Sequence, residues 1–243
     1  MVVAGMTHVG GRRGEWEEET VVARASVPSV GEDSRSRLLA TARRLFAERG
    51  LDAVSLREVV RDAGIKHATA VQYHFGDREG LMAAILAEHE TRVDMRRNAM
   101  LDNYEADAVH DCRTVAAIMV RPLARELEDL DGRYYLRICA QVLQRPTSVY
   151  SETETSIWRW RRHAEEFLPA GAAELHPRYS ALAFTVNELA RRAVAPARRD
   201  DQLYVSRIID VVSSIISCPM SPETERLLAQ RAAKRDARKT PHP

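Results

Sequence analysis

The sequence predicts an all-α protein, with a short three-helix unit near the N-terminus followed by a longer helical domain. Three observations carry this reading. From Ser34 onward, apolar residues recur at the three-to-four-residue spacing of a helix stripe. Strand-like alternation of Val, Ile, Thr and aromatics is scarce, and aromatics are only 6% of the chain. Glycines and prolines fall at helix-length intervals, where they stop helices rather than interrupt them.

The helices follow in order. Leu38, Leu39, Ala42, Leu45 and Phe46 form one apolar stripe, and Gly50 ends that helix. Ser55-Leu56-Arg57-Glu58 is a capping box, in which the serine and glutamate satisfy each other's first-turn amides. It opens a second helix that buries Leu56, Val59, Val60 and Ala63 and closes at Gly64. A third, short helix is expected from about Ala68 to His74, with Ala68, Val71 and Phe75 inward and Gly76 as its stop. Asp77 then caps a long fourth helix to about Asn98, with Leu81, Met82, Ile85 and Leu86 on its buried face.

Composition narrows what such a chain does. Its 243 residues hold 36 Lys and Arg against 35 Asp and Glu, a net charge of +1, so a uniformly basic coat is excluded. The charge is nonetheless uneven. Residues 1–33 carry −3, residues 34–80 carry +3, residues 81–220 carry −2 and residues 221–243 carry +3. From Ile65 to Gly76 there is no carboxylate at all. Three cysteines, Cys112, Cys139 and Cys218, make no disulfide framework, which suits a reducing, cytoplasmic setting. No run is long and apolar enough for a membrane span, and Met1–Thr20 lacks the apolar core of a secretory signal. Residues 1–33 are expected to be a disordered extension.

Three short helices with a tight Ala63-Gly64-Ile65 turn between the second and third have the layout of a helix-turn-helix. The stretch from Leu45 to Gly64 (LFAERGLDAVSLREVVRDAG) resembles the start of the tetracycline-repressor (TetR) family DNA-binding domain. Val71 to Leu81 (VQYHFGDREGL) is similar to that family's aromatic-rich recognition helix and the start of its fourth helix. The resemblance covers about residues 36–86. It departs from the family at Gln72, where a Tyr is common, and at Ile65–Thr69, which is one residue longer than the commonest form.

On DNA, phosphate contacts position a protein and base-edge contacts specify sequence. Lys66, His67, Thr69, Ala70 and Gln72 are expected to face outward from the third helix, and Arg57 from the second. Gln72 can pair with adenine, Lys66 can reach guanine, and the Thr69 or Ala70 methyl can meet thymine. Tyr73 and His74 can hydrogen-bond phosphates. Arg78 lies in the first turn of the fourth helix, whose amides also favour an anion. The resemblance implies phosphate roles for Ser55, His74 and Arg78, and base or near-base roles for Arg57, Thr69 and Gln72.

Beyond residue 99 the chain reads as further helices over about 109–128, 132–144, 150–167, 176–194 and 200–217, with Pro122 a kink and stops at Pro146, Pro169, Pro196 and Pro219. The last is apolar over much of its circumference: Leu203, Val205, Ile208, Ile209, Val211, Val212, Ile215 and Ile216. It should be buried on more than one side. The helix before it carries Leu182, Phe184, Val186 and Leu189. A core helix within one chain explains this pattern, and so does a subunit interface. The resemblance favours the second, a four-helix-bundle homodimer that presents two recognition helices to a palindromic double-stranded operator. It also implies a small-molecule effector pocket in the middle helices, for which the candidates are Met119, Tyr134, Tyr135, Ile138, Cys139, Val142, Trp158, Arg161 and Phe167. Those residues also have the spacing of ordinary core packing.

Chemistry of other kinds is not legible. His89-Glu90 lacks the second histidine of a metalloprotease motif, and His110 and Cys112 have no further ligand nearby. Glu165 and Glu166 are adjacent and point to different helix faces. No catalytic residue, metal site or cofactor is expected. The expected organisation is an extension over 1–33, the DNA-binding unit over 34–80, an effector and dimerisation domain over 81–220 and a basic tail over 221–243. The expected function is a homodimeric transcriptional regulator, more often a repressor in this family. The alternatives are a helix-turn-helix used for protein contacts and, last, an all-α enzyme.

Overall fold

A computed structural model describes residues 30–145, 156–195 and 201–239. The described residues are helical throughout, with no strand. Helix α1 spans Val30–Arg49, α2 Leu56–Asp62, α3 Ala70–Phe75 and α4 Arg78–Ala106. The body follows with α5 Cys112–Ala124, α6 Leu130–Leu143, α7 Ser156–Glu165, α8 Pro177–Val194 and α9 Asp201–Ile216, and α10 covers Pro222–Lys239. Helix α1 thus starts four residues before the expected boundary at Ser34, and the rest of the expected extension lies outside the described residues.

The N-terminal unit closes on the residues its sequence set aside. Leu38, Ala42, Phe46, Val59 and Leu81 are fully buried together. Removing such side chains from water is the main term holding α2 and α3 in place, since helices of six or seven residues do not persist alone. Helix α4 runs on for 29 residues, eight beyond the expected end at Asn98, because Leu101 and Tyr104 continue its buried stripe. At 1.5 Å per residue it is about 43 Å long, and it carries the chain from the small unit into the body.

In the body, α6 packs chiefly on α8 and α5 on α9. Pro122 lies inside α5, which gives way two residues later to a 3-10 turn at Arg125–Leu127. The first turn of α5 meets the last turns of α9: Arg113 pairs with Asp210 at 2.9 Å, and the Cys112 thiol donates to the Ser213 carbonyl. Helix α10 follows from the end of α9, beside the first turn of α5. It touches the body through Arg235 and Glu174, 3.6 Å apart.

Two polar seams join the small unit to the body. In the first, the buried Arg43 guanidinium of α1 bridges Glu88 of α4 at 2.6 Å and Asp131 of α6 at 2.7 Å. The Gln141 side chain of α6 accepts from Leu51 N at 2.8 Å and donates to Phe46 O at 3.3 Å. Phe46 O also accepts from Gly50 N at 3.0 Å, so Gln141 adds a second donor there and gives the Leu51 amide an acceptor just past the end of α1. Tyr134 Oη donates to Glu48 at 2.9 Å, and Arg145 pairs with Asp52 at 2.5 Å.

The second seam is the buried carboxylate of Glu126, only 1% exposed. It meets His89 Nδ1 at 2.6 Å, Arg96 at 2.6 Å and Arg92 at 3.1 Å, all on α4. Burial alone would raise its pKa, but the His89 and Arg96 hydrogen bonds and the nearby charges hold it below the usual carboxylate value.

Replacing Gln141 with Leu should cost about 1–3 kcal/mol in denaturant unfolding, the range for a buried amide left without its acceptor. Arg145→Ala, at a more exposed pair, should cost less than about 1 kcal/mol. Because the Glu126 pKa is lowered in the fold, its contribution is complete above the ordinary glutamate value of 4.5 and is lost as pH falls through the lower folded value. Glu126→Gln should be less stable at neutral pH and show a shallower acid loss in the same titration.

Candidate nucleic-acid interface

The helix-turn-helix is held by caps and by one arginine. Ser55 and Glu58 form the full capping box, with Ser55 N donating to Glu58 at 2.9 Å and Glu58 N donating to Ser55 Oγ at 3.2 Å. The Ser55 amide and then the Arg49 guanidinium hold the Glu58 carboxyl below its ordinary range. At the other end of α2 the backbone turns at Gly64, whose φ is +65°. Arg37 of α1 donates to the carbonyls of Ala63 and Gly64, the orphan acceptors of that helix end. A Cβ at Gly64 would stand 2.7 Å from the Arg37 guanidinium.

Helix α3 starts at Ala70, later than expected, and this rotates its faces. Ala70 and Val71 are the buried pair, at 8% and 3% exposure. Ala68 is exposed and Ala70 is not, which corrects the expected orientation of both and removes Ala70 as a base contact. The exposed set is Thr69, Gln72 and Tyr73, the last 84% exposed, with His74 half-buried beside it. Lys66 and His67 lie in the turn before α3 rather than on it, and both are exposed. Arg57 is exposed on α2 and Ser55 at its cap. These eight residues share the surface formed by the α2 start, the turn and α3.

Arg78 is used differently from the expectation. Its guanidinium donates to Val54 O at 2.9 Å and to Leu51 O, and it lies 4.9 Å over the Phe46 ring. It locks the α1–α2 connection against α4, so its expected free phosphate contact is corrected to a positioning role. Beside it, Asp77 Oδ1 accepts from Gly80 N at 2.7 Å and caps α4. A Cβ on Gly80 would lie 2.0 Å from the Phe75 carbonyl, so only glycine lets α3 and α4 approach this closely.

The effector candidates fall into three settings. Met119, Tyr135, Ile138, Cys139 and Val142 are buried core, and burial pushes the Cys139 thiol up to about 12, which keeps it protonated. Tyr134 belongs to the seam with α1. Trp158 is 43% exposed with Arg161 stacked 4.9 Å over its ring, and Phe167 is half-buried after α7. A separate, mostly apolar groove of about 360 Å³ lies between Leu175, the end of α9 and the start of α10, and it is lined in part by the interface candidates Ile215 and Ile216.

The interface candidates also divide. Val186, Leu189, Ile208, Ile209, Val212 and Ile216 are buried within one chain, which corrects their expected place at a subunit contact. Leu203 is 72% exposed, and Leu182, Phe184, Val205 and Ile215 are half-buried. His110 and Cys112 serve the packing of the body, His110 through its stack on Tyr104 at 4.3 Å.

Gly80→Ala should destabilise the fold by about 1–3 kcal/mol, the usual cost of overpacking, read as a lowered melting temperature. Arg78→Ala should also lower it, whereas Gln72→Ala should leave it unchanged.

Residues 38–85 match the family model described as bacterial regulatory proteins, tetR family. No curated protein matches the chain. Among solved structures, the chain is 18% identical to NalD of Pseudomonas aeruginosa, described as the secondary repressor of a multidrug efflux pump. That match has a TM-score of 0.46 and covers 74% of this chain and 96% of the other. It is 22% identical to a TetR-family regulator of Streptomyces coelicolor A3, with a TM-score of 0.41 and coverage of 79% and 99%. With AmtR of Mycobacterium smegmatis the identity is 14%, the TM-score 0.46 and the coverage 86% and 97%. The matched segment 38–85 is the capped, glycine-punctuated unit described above. The match is confined to residues 38–85, so it is the helix-turn-helix unit of this chain that is similar to the bacterial regulatory proteins of the tetR family.

Proposed function

We propose that the chain is a homodimeric, sequence-specific transcriptional regulator, a repressor released from a palindromic operator by a small-molecule effector. The observation that carries the reading is the surface of α3. Thr69, Gln72 and Tyr73 are exposed on a helix without a carboxylate, backed by the buried Ala70 and Val71. Gln72 offers the paired donor and acceptor that match adenine in the major groove. Ser55, Arg57, Lys66, His67 and His74 surround it as phosphate or near-base contacts.

The dimer is proposed through the outer faces of α8 and α9, on Leu182, Phe184, Leu203, Val205 and Ile215. An isologous two-fold contact would place two α3 helices on successive half-sites. The effector would bind the conformation in which those helices are wrongly spaced, and a differential affinity of about 1–3 kcal/mol makes a usable switch.

The test is fluorescence anisotropy on duplex DNA from immediately upstream of the gene, against a scrambled duplex, at two salt concentrations. Selective binding that weakens with salt is expected. Gln72→Ala should reduce cognate binding by about 1–3 kcal/mol and leave scrambled binding unchanged. Equal losses on both duplexes would contradict its base-reading role. A single-chain mass at micromolar concentration would contradict the dimer.

A further inference from the structure

We infer that Arg35, in the second turn of α1, is a DNA-phosphate contact that extends the interface beyond α2 and α3. The inference rests on the DNA-binding reading above. It comes from asking what each cation of the N-terminal unit already does. Arg37 caps the α2 carbonyls, Arg43 bridges Glu88 and Asp131, and Arg44 pairs with Glu48. Arg49 pairs with Glu58, Arg61 with Asp62, and Arg78 holds the carbonyls of Leu51 and Val54. Among the described residues of this unit, that leaves Arg35, Arg57 and Lys66 with neither a carboxylate nor a carbonyl partner, and all three are exposed. Two of them already lie on the expected DNA surface. The third, Arg35, lies against the C-terminal end of α3.

The Arg35 guanidinium lies 5.2 Å over the ring of Phe75, the last residue of α3. Phe75 itself is in a row of rings, with Tyr73 and His74 at 4.9 Å and His74 and Phe75 at 6.1 Å between centroids. Arg35 thus continues the aromatic edge of the recognition helix with a positive charge. The ring fixes the guanidinium by its face and leaves its N–H edge open. That planar edge fits two phosphate oxygens, which a lysine ammonium does not match in shape. A surface arginine with no function is ordinarily solvated or paired with a neighbouring carboxylate. Asp33, on the same helix, is paired with Arg37 at 3.7 Å.

The test measures wild type, R35A and R35K by anisotropy on the upstream duplex and on a scrambled duplex from 50 to 200 mM salt. Melting temperatures should be the same for all three, since the side chain is exposed. R35A should bind both duplexes several-fold more weakly at low salt, with the salt slope reduced by about one. At a slope of about 0.9 per phosphate, its deficit should shrink about 3.5-fold across that fourfold salt range. R35K should keep the wild-type slope. Wild-type binding accompanied by an R35A affinity and slope equal to wild type would overturn the role of Arg35 and leave the regulator reading standing. A loss on the upstream duplex alone would overturn a phosphate role in favour of base reading. Failure of wild type to bind either duplex would overturn both readings.

Discussion

The arrangement of this protein depends on where α1 ends. A helix terminus leaves backbone donors and acceptors without partners, and burying them unpaired is costly. Here the end of α1 lies against α6, and one side chain, Gln141, takes up both Leu51 N and Phe46 O. Because an amide group has one donor end and one acceptor end, it accepts from Leu51 N and adds to the bond that Phe46 O already receives from Gly50 N, in a single orientation. The small unit is therefore fixed to the body at a defined angle and not tethered by α4 alone. Arg43 adds a second fixed point from the same helix, with its charge buried and shared between α4 and α6.

This has consequences for function. A regulator of two-fold DNA depends on the spacing and tilt of its recognition helices, and a loosely linked unit would lose part of its binding free energy to reordering. A unit clamped by α6 and α4 moves only when those helices move. Helix α6 carries Gln141 and Tyr134 toward α1 and Tyr135, Ile138 and Cys139 into the core. A change of packing in the core and a change at the α1 terminus are therefore changes in one rigid element. Glu126 ties α4 to the turn before α6 in the same way, through His89, Arg92 and Arg96. The coupling is a property of two polar seams embedded in apolar packing, and polar seams are directional where apolar contacts are not.

Much of the N-terminal unit was legible because its signals are local. The Ser55–Glu58 capping box, the glycine stops and the Asp77 cap are written within four residues of where they act. Orientation was less legible. The start of α3 at Ala70 instead of Ala68 exchanged the two alanines, since a two-residue shift turns a helix by more than half a revolution. The partners of Arg78 and Tyr134, namely Leu51, Val54 and Glu48, were not legible because they are distant in sequence. The α9 pattern was expected to be buried on more than one side, whereas its buried residues make one stripe, and periodicity cannot say whether α5 or another chain covers a face. Packing within the chain accounts for Ile208, Ile209, Val212 and Ile216 and leaves Leu203 exposed. Arg35 was invisible for a related reason, since its only signal is a ring forty residues away.

The most direct test of the central claim is native-state hydrogen exchange at the Leu51 amide. This amide belongs to the connection between α1 and α2, yet its acceptor is a side chain of α6. If the seam fastens the small unit to the body, Leu51 will exchange as slowly as the interior amides of α6, opening only when the body opens. If it exchanges at the rate of an ordinary loop amide while α6 stays protected, the unit moves independently of the body and the account is wrong.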